Sequence, residues 1–273
     1  MAARGMSVST STNWVTSDRE TLVFVRDLAR TYGSGPGAVQ ALASVSFDIA
    51  PAEFITILGP SGCGKTTLLN IIAGFDTASE GFAAMGDAKI VGPSSRLGVV
   101  FQDSSALFSW FTVRGNIAFG PRAAGRPSAE IAARVNAVLD LVGLTEFADK
   151  YPLQLSGGMR QLVAIARVLV MDAELLLMDE PFAALDAIAR QRMQERLVEI
   201  WTRTKPAILF ITHSVDEALY LGDRVIVMTG RPGRIREILD INLARPRDLA
   251  APAFNDLRAK ALSLLRSTKE VEP

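Results

Sequence analysis

Apolar residues in this chain fall into short runs of strand length and into longer stretches with a helical period. Residues 22–25, 45–49 and 54–58 are strand-like runs, and the last is almost continuously apolar, as in a strand buried on both faces of a sheet. Four further apolar runs, 97–101, 175–178, 207–211 and 225–228, can supply strands. Between the first two of these lies a mainly helical stretch, about 104–171. There Ile131, Val135, Val138, Leu139 and Val142 recur at i, i+4, i+7, i+8 and i+11, one apolar helix face. Ser128 is placed to cap that helix and Gly143 to stop it. Residues 66–73 read as another helix, closed by Gly74. The pattern predicts an α/β core carrying a helical insert, then a mixed C-terminal tail from about Arg231. No internal repeat is evident.

Chemistry enters where the run 54–58 meets its helix. Gly59, Pro60, Ser61, Gly62, Cys63, Gly64, Lys65 and Thr66 fit G-x-x-x-x-G-K-[ST], a loop whose backbone N–H groups wrap a nucleotide's phosphates. The glycines let the backbone approach the phosphates, Lys65 would reach the β- and γ-phosphates, and the Thr66 hydroxyl would hold Mg²⁺. Thr67 adds a second hydroxyl. Cys63, beside Lys65 and a helix N-terminus, is expected to have a lowered pKa, and its alkylation to be blocked by ATP. Past the run 175–178 stand two acids. Asp179 would bind Mg²⁺, and Glu180 would polarise the attacking water, adjacent side chains on an extended chain pointing to opposite sides. Gln102 and His213, the only histidine, sit at or just past the ends of two other apolar runs. In open parallel sheets ligands collect outside those carboxyl ends, so Lys65, Gln102, Asp179, Glu180 and His213 are expected to converge, with His213 hydrogen-bonded to the γ-phosphate.

A second anion site is written at Leu155-Ser156-Gly157-Gly158-Met159-Arg160-Gln161. Ser156 can cap a helix whose Met159, Leu162, Val163 and Ala166 share a face. Two glycines in its first turn cost helix stability unless something must come close. One nucleotide does not need two phosphate clamps.

Bulk composition limits the alternatives. Lys plus Arg and Asp plus Glu both number 29, so no global field attracts nucleic acid or an anionic membrane. A single cysteine rules out an internal disulfide. No apolar run approaches the roughly 18–20 residues that cross a bilayer, and 1–21 is polar, Ser/Thr-rich and expected to be a flexible tail.

Together these residues resemble the nucleotide-binding subunits of ABC transporters over about 22–235, leaving 236–273 as a C-terminal extension. The phosphate loop looks like their Walker A motif, 155–161 their signature motif and 175–180 their Walker B. Gln102 is similar to the Q-loop glutamine (which also reaches Mg²⁺), Asp186 to the D-loop aspartate, and His213 to the switch histidine. Tyr32 matches the aromatic that stacks on adenine, with Phe24 as the nearby rival. The resemblance implies a P-loop NTPase fold: a parallel sheet core, an antiparallel β part and the helical insert. It implies an ATPase using ATP and Mg²⁺, working as a head-to-tail dimer in which Ser156, Gly157 and Gly158 serve the partner's ATP. It also implies an integral membrane permease, a periplasmic or surface solute-binding protein, no nucleic acid, and a peripheral position on the cytoplasmic face of the inner membrane.

A narrower likeness, carried by the stretches 107–113, 179–187, 211–218 and 231–235, is to importers of nitrate, aliphatic sulfonates and taurine. Phe108, Trp110 and Phe111 fall where that family receives a permease's coupling helix. Ser109, Ala183 and Leu162 depart from residues common in relatives, and none removes a catalytic group. An ABC ATPase acting on ribosomes or DNA is the competing class. It is disfavoured by a single motif set and by the lack of a sustained heptad run.

Overall fold

The computed structural model describes residues 20–102 and 107–266. The expected N-terminal tail falls outside them except for its last two residues, as does the start of the helical stretch. Strands β1 (Val23–Tyr32) and β2 (Val39–Ile49) pair antiparallel, and β3 (Phe54–Leu58) enters the core. Helix α1 (Lys65–Ile72) follows the phosphate loop. Then come β4 (Glu80–Met85), β5 (Ala88–Lys89) and β6 (Leu97–Val100). The insert holds α2 (Val113–Ala123), α3 (Ser128–Val142) and α4 (Gly157–Leu169). The chain closes with β7 (Leu175–Asp179), α5 (Ala187–Thr204), β8 (Ala207–Thr212), α6 (Val215–Leu221), β9 (Arg224–Met228), β10 (Ile235–Asp240) and α7 (Pro252–Arg266).

Two sheets result among the described residues. One is antiparallel, in the order β2-β1-β4-β5. The other runs β10-β9-β3-β8-β7-β6, parallel except for β10. Every residue of β3 is buried, as its unbroken apolar run requires, because the strand is central and covered on both faces. α1 packs between the sheets, where Leu68, Leu69 and Ile72 join Val25, Leu42, Ile57 and Ile226. The insert has its own core, in which all five apolar residues read on α3 are buried.

Two local expectations are corrected. Ser128 is the first helical residue of α3, not its cap; the cap position is Pro127, and no side chain caps that end. Gly143, in a left-handed conformation, does end the helix. On α4 burial is not confined to one face, because the helix is wedged between two clusters. Val163 and Ala166 face the insert's core, while Ile165 packs with Phe182 and Leu197 under the main sheet. Beyond 235 the chain is also integral to the main sheet: β10 pairs with β9, and Phe254 and Ala261 of α7 pack on Leu219 and Val227.

Candidate active site

The site is assembled from the ends of parallel strands. β3 stops at Leu58, and the loop 59–64 delivers the chain into α1 with Gly62 and Gly64 at φ +77° and +93°. These are left-handed conformations that L side chains resist. Gly64 is the helix N-cap and has no side chain to occupy the first-turn N–H groups. Lys65 is buried, and its Nζ donates to the carbonyls of Gly59 (2.9 Å) and Pro60 (3.0 Å). The ammonium is thus folded over the loop, 3.9 Å from Glu180 Oε1.

The two acids diverge, but not through strand alternation. β7 ends at Asp179, and Glu180 takes φ +42°, a left-handed turn held by its N–H donating to Ile211 O at 3.0 Å. A non-glycine residue there is strained, and such strain concentrates at functional positions. Asp179 Oδ2 accepts from Thr66 Oγ1 at 2.9 Å, while Glu180 Oε2 lies 2.8 Å from His213 Nδ1. A carboxylate can only accept, so with Glu180 ionised that contact puts the imidazole proton on Nδ1. Burial raises the Asp179 carboxyl above its ordinary range; the neighbouring Glu180 charge adds to this, and the Thr66 hydrogen bond and Lys65 oppose it.

These groups border a cavity of about 480 Å³. Tyr32 stands at its edge with Ser61, Thr67 and Gln102, and both Tyr32 and Gln102 are exposed. The Tyr32 hydroxyl donates to Asp76 Oδ2 at 2.7 Å, and Arg30 lies over its ring, 4.6 Å from the centroid. Phe24 is a core residue of β1. A larger cavity of about 650 Å³, lined by Leu22, Pro51, Lys205 and Pro206, lies at the amino ends of β3, β7 and β8. The smaller one holds the convergent charges and sits at the carboxyl ends, where sheets of this kind bind ligands.

The remaining sequence candidates lie apart from that cavity's lining. Ser156 caps α4, its Oγ accepting from Met159 N at 3.3 Å, and Asp186 caps α5 by accepting from Ala189 N at 2.9 Å. Their turns touch: a methyl group on Gly157 would meet Leu185 Cδ2 at 3.4 Å, while one on Gly158 would meet the end of Met193. Gly59 and Cys63 are buried beneath the loop. Cys63 overturns its expectation: burial pushes its thiol up, outweighing Lys65 and the loop N–H groups that pull it down. The sulfur is buried close to Gly59, where an added Cβ would stand 2.8 Å from it.

Two groups at the site were not read from the sequence. Buried Glu217 accepts from Thr212 Oγ1 and from Gln194 Nε2, tying the β8–α6 turn that carries His213 to α5. The capping pattern Ser214-x-x-Glu217 was its available signal. Arg231, the other, lines the cavity beside Gly62.

Comparison with known proteins fits this geometry. The ABC transporter family model matches residues 42–183, from β2 through the two acids. An uncharacterized ABC transporter ATP-binding protein of Methanocaldococcus jannaschii is 48% identical over 242 residues, covering 89% of this chain and 90% of that one. The chain belongs to the ABC transporter family. A taurine import ATP-binding protein TauB of Jannaschia sp. (strain CCS1) is 45% identical over 86% of this ABC ATPase and 90% of its own length. Among solved structures, cbiO1 from Clostridium perfringens, part of the ABC transporter complex cbiONQ, superposes with a TM-score of 0.75. It is 30% identical and covers 93% of this chain and 100% of its own. A dimeric ATP-binding cassette in a post-hydrolysis state, bound to ADP and Pi, gives a TM-score of 0.68 at 28% identity, covering 82% of this chain and 100% of its own. The fold is thus that of an ABC ATPase. Among the described residues no helix is long and apolar enough to cross a membrane.

Proposed function

We propose that this chain is the ATP-hydrolysing subunit of an importer for a small sulfonate-type solute, with nitrate-type solutes as the neighbouring class. The observation carrying the catalytic part is the meeting of Lys65, Thr66, Asp179, Glu180 and His213 through direct contacts, from positions 65 to 213 in the chain. The similarity to taurine import proteins over most of both chains supports the solute class.

In this reading the loop N–H groups and Lys65 bind the β- and γ-phosphates. Tyr32 stacks on the base. Thr66 Oγ1 and Asp179 Oδ2, hard oxygens 2.9 Å apart, fit Mg²⁺ as a ligand and a near neighbour, with Gln102 on the same cavity wall. Bound there, the cation would neutralise charge on the transferring phosphoryl group. Glu180 polarises the attacking water and takes up its proton. His213 fixes that carboxylate through Nδ1–H, and in the loaded site, as an imidazolium with both nitrogens protonated, donates its other N–H to the γ-phosphate. Ser156, Gly157, Gly158 and Asp186, on turns outside this cavity, serve the ATP of a second copy closing head to tail.

Permease docking falls to the aromatic loop after Gln102. Phe108, Trp110, Phe111 and Phe119 form one cluster, with Phe108 and Phe119 centroids 4.5 Å apart. Buried Asn116 fixes the loop, accepting from Phe108 N and donating to the carbonyls of Phe108, Phe111 and Thr112. Trp110 nevertheless stays 69% exposed, so the cluster is pre-formed rather than buried in the insert. The test is affinity capture of the full chain from gently solubilised native membranes. A multi-span permease and a solute-binding protein in the eluate are expected. Ribosomal or DNA-bound partners without a permease would overturn the importer.

A further inference from the structure

The connector from β9 to β10 brings a cation to the site that the chemistry above does not use. Residues 229–234 turn back over the phosphate loop and are laced to β2: Gly233 N donates to Ala41 O, and Ala43 N to Gly233 O, each at 2.9 Å. Thr229 N donates to Arg234 O at 2.9 Å and closes the turn on itself. Gly233 is buried against the loop so closely that a Cβ would stand 2.0 Å from Cys63 O, which only glycine tolerates. From this anchored turn Arg231 reaches the nucleotide cavity, where it is exposed and shares the lining with Lys65, Thr66 and Thr67. Its Nε donates to Gly62 O at 3.4 Å, and Nη2 lies 3.3 Å from where a Cβ on Gly62 would sit. Among the described residues no carboxylate pairs with it.

We propose that Arg231 is a second phosphate-binding cation of this site. Its Nη groups donate to the nucleotide's phosphate oxygens from the Gly62 side of the loop. A guanidinium presents a planar fork suited to phosphate, and here no existing ion pair must break before it binds. A purely structural role explains less. The connector is already held by its backbone bonds, and one long hydrogen bond from an exposed side chain adds little. The assignment rests on the nucleotide reading of the cavity, and makes Arg231 a binding residue that reads phosphate charge and takes no part in proton transfer.

The test compares the full chain with Arg231→Ala, Arg231→Lys and Arg234→Ala, the last removing the same charge from the same connector away from the cavity. Competition against a fluorescent ATP analogue gives affinities for ATP and adenosine, and steady-state hydrolysis gives KM and kcat. For Arg231→Ala we expect ATP affinity about tenfold weaker, as for loss of one charge-assisted contact. KM should rise to match, with kcat, adenosine affinity and the nucleotide-free melting temperature near those of the wild type. Arg231→Lys should recover part of the loss and Arg234→Ala should show none. Unchanged ATP affinity in Arg231→Ala overturns the proposal, as does an equal loss for adenosine or an equal loss in Arg234→Ala. No ATP binding by the wild-type chain would bring down the nucleotide reading itself, and Arg231 with it.

Discussion

The two inner glycines of the phosphate loop look alike by conformation, yet their substitution by alanine should differ sharply. Gly62 and Gly64 both have left-handed φ, +77° and +93°. Holding alanine there costs about 1–2 kcal/mol, offset by about 0.4–1 kcal/mol because alanine also restricts the unfolded chain. Space separates them. A Cβ on Gly62 meets only the tip of Arg231, at 3.3 Å, which can swing away. A Cβ on Gly64 would lie 2.7 Å from both Ala41 O and Leu42 Cδ2. Neither yields easily: Ala41 O already accepts from Gly233 N, and Leu42 is fully buried. Overpacking of this kind adds about 1–3 kcal/mol. Gly64→Ala should therefore cost about 2–4 kcal/mol and Gly62→Ala about 1 kcal/mol. Urea unfolding of the full chain, read at constant m-value, measures both. Because β2 must shift to relieve the overlap, Gly64→Ala should also weaken ATP binding more than Gly62→Ala does. Equal losses of stability would refute the steric argument and leave backbone conformation as the sole requirement.

Four further outcomes follow from the site. Glu180→Gln should keep ATP binding and lose hydrolysis about 10²–10⁴-fold, a general-base deletion; turnover near wild type would remove Glu180 from that role. Cys63, 1% exposed and with its thiol pushed up by burial, should alkylate at neutral pH far more slowly in the folded chain than in urea; rapid stoichiometric labelling would contradict its placement. Glu217 titrates above its ordinary value because it is buried, so between those two values the folded chain holds a proton that the unfolded chain releases. Its contribution to stability therefore rises as pH falls through that window, and Glu217→Gln should flatten the slope. Urea midpoints of the two proteins from about pH 5 to 8 give the difference, and parallel curves would refute it. Trp110→Ala should leave the isolated ATPase intact and abolish recovery with a permease; unimpaired capture would move the docking surface elsewhere.

The parts of this fold legible in sequence are those whose signal is local. β3, its glycine loop and α1 were readable because an unbroken apolar run, a phosphate-loop pattern and a helical period stand side by side. α3 likewise turns one buried face to the insert's core. β4 has no such signal: Glu80–Met85 contains a glycine and two alanines, and its strand conformation comes from pairing with β1. β10 is equally hidden, as an edge strand that pairs, among the described residues, with β9 alone. Cys63 shows the same limit in electrostatics. Its sequence neighbours are the groups that lower a thiol pKa, but the larger effect is desolvation, which comes from the buried cluster that Cys63 joins with Met228 and Leu42.

Strand order decides which residues of the site are legible in the sequence. In the parallel part of the sheet, Leu58 pairs with Thr212 and Val227, Ile211 with Asp179, and Val100 with Met178. The carboxyl ends of β3, β8, β9, β7 and β6 are therefore level, and whatever follows each strand arrives at one place. Four of those ends are recognisable in the sequence by the residues they deliver: Lys65 after β3, His213 after β8, Asp179 and Glu180 at β7, Gln102 after β6. The fifth is β9, which neighbours β3 directly, so a residue just past Met228 has to reach the phosphate loop. Arg231 is that residue. It was readable only as part of a family-like stretch because its position depends on strand order, which no local period encodes. Its guanidinium at Gly62 O is the consequence of placing β9 beside β3 rather than at the sheet's far edge.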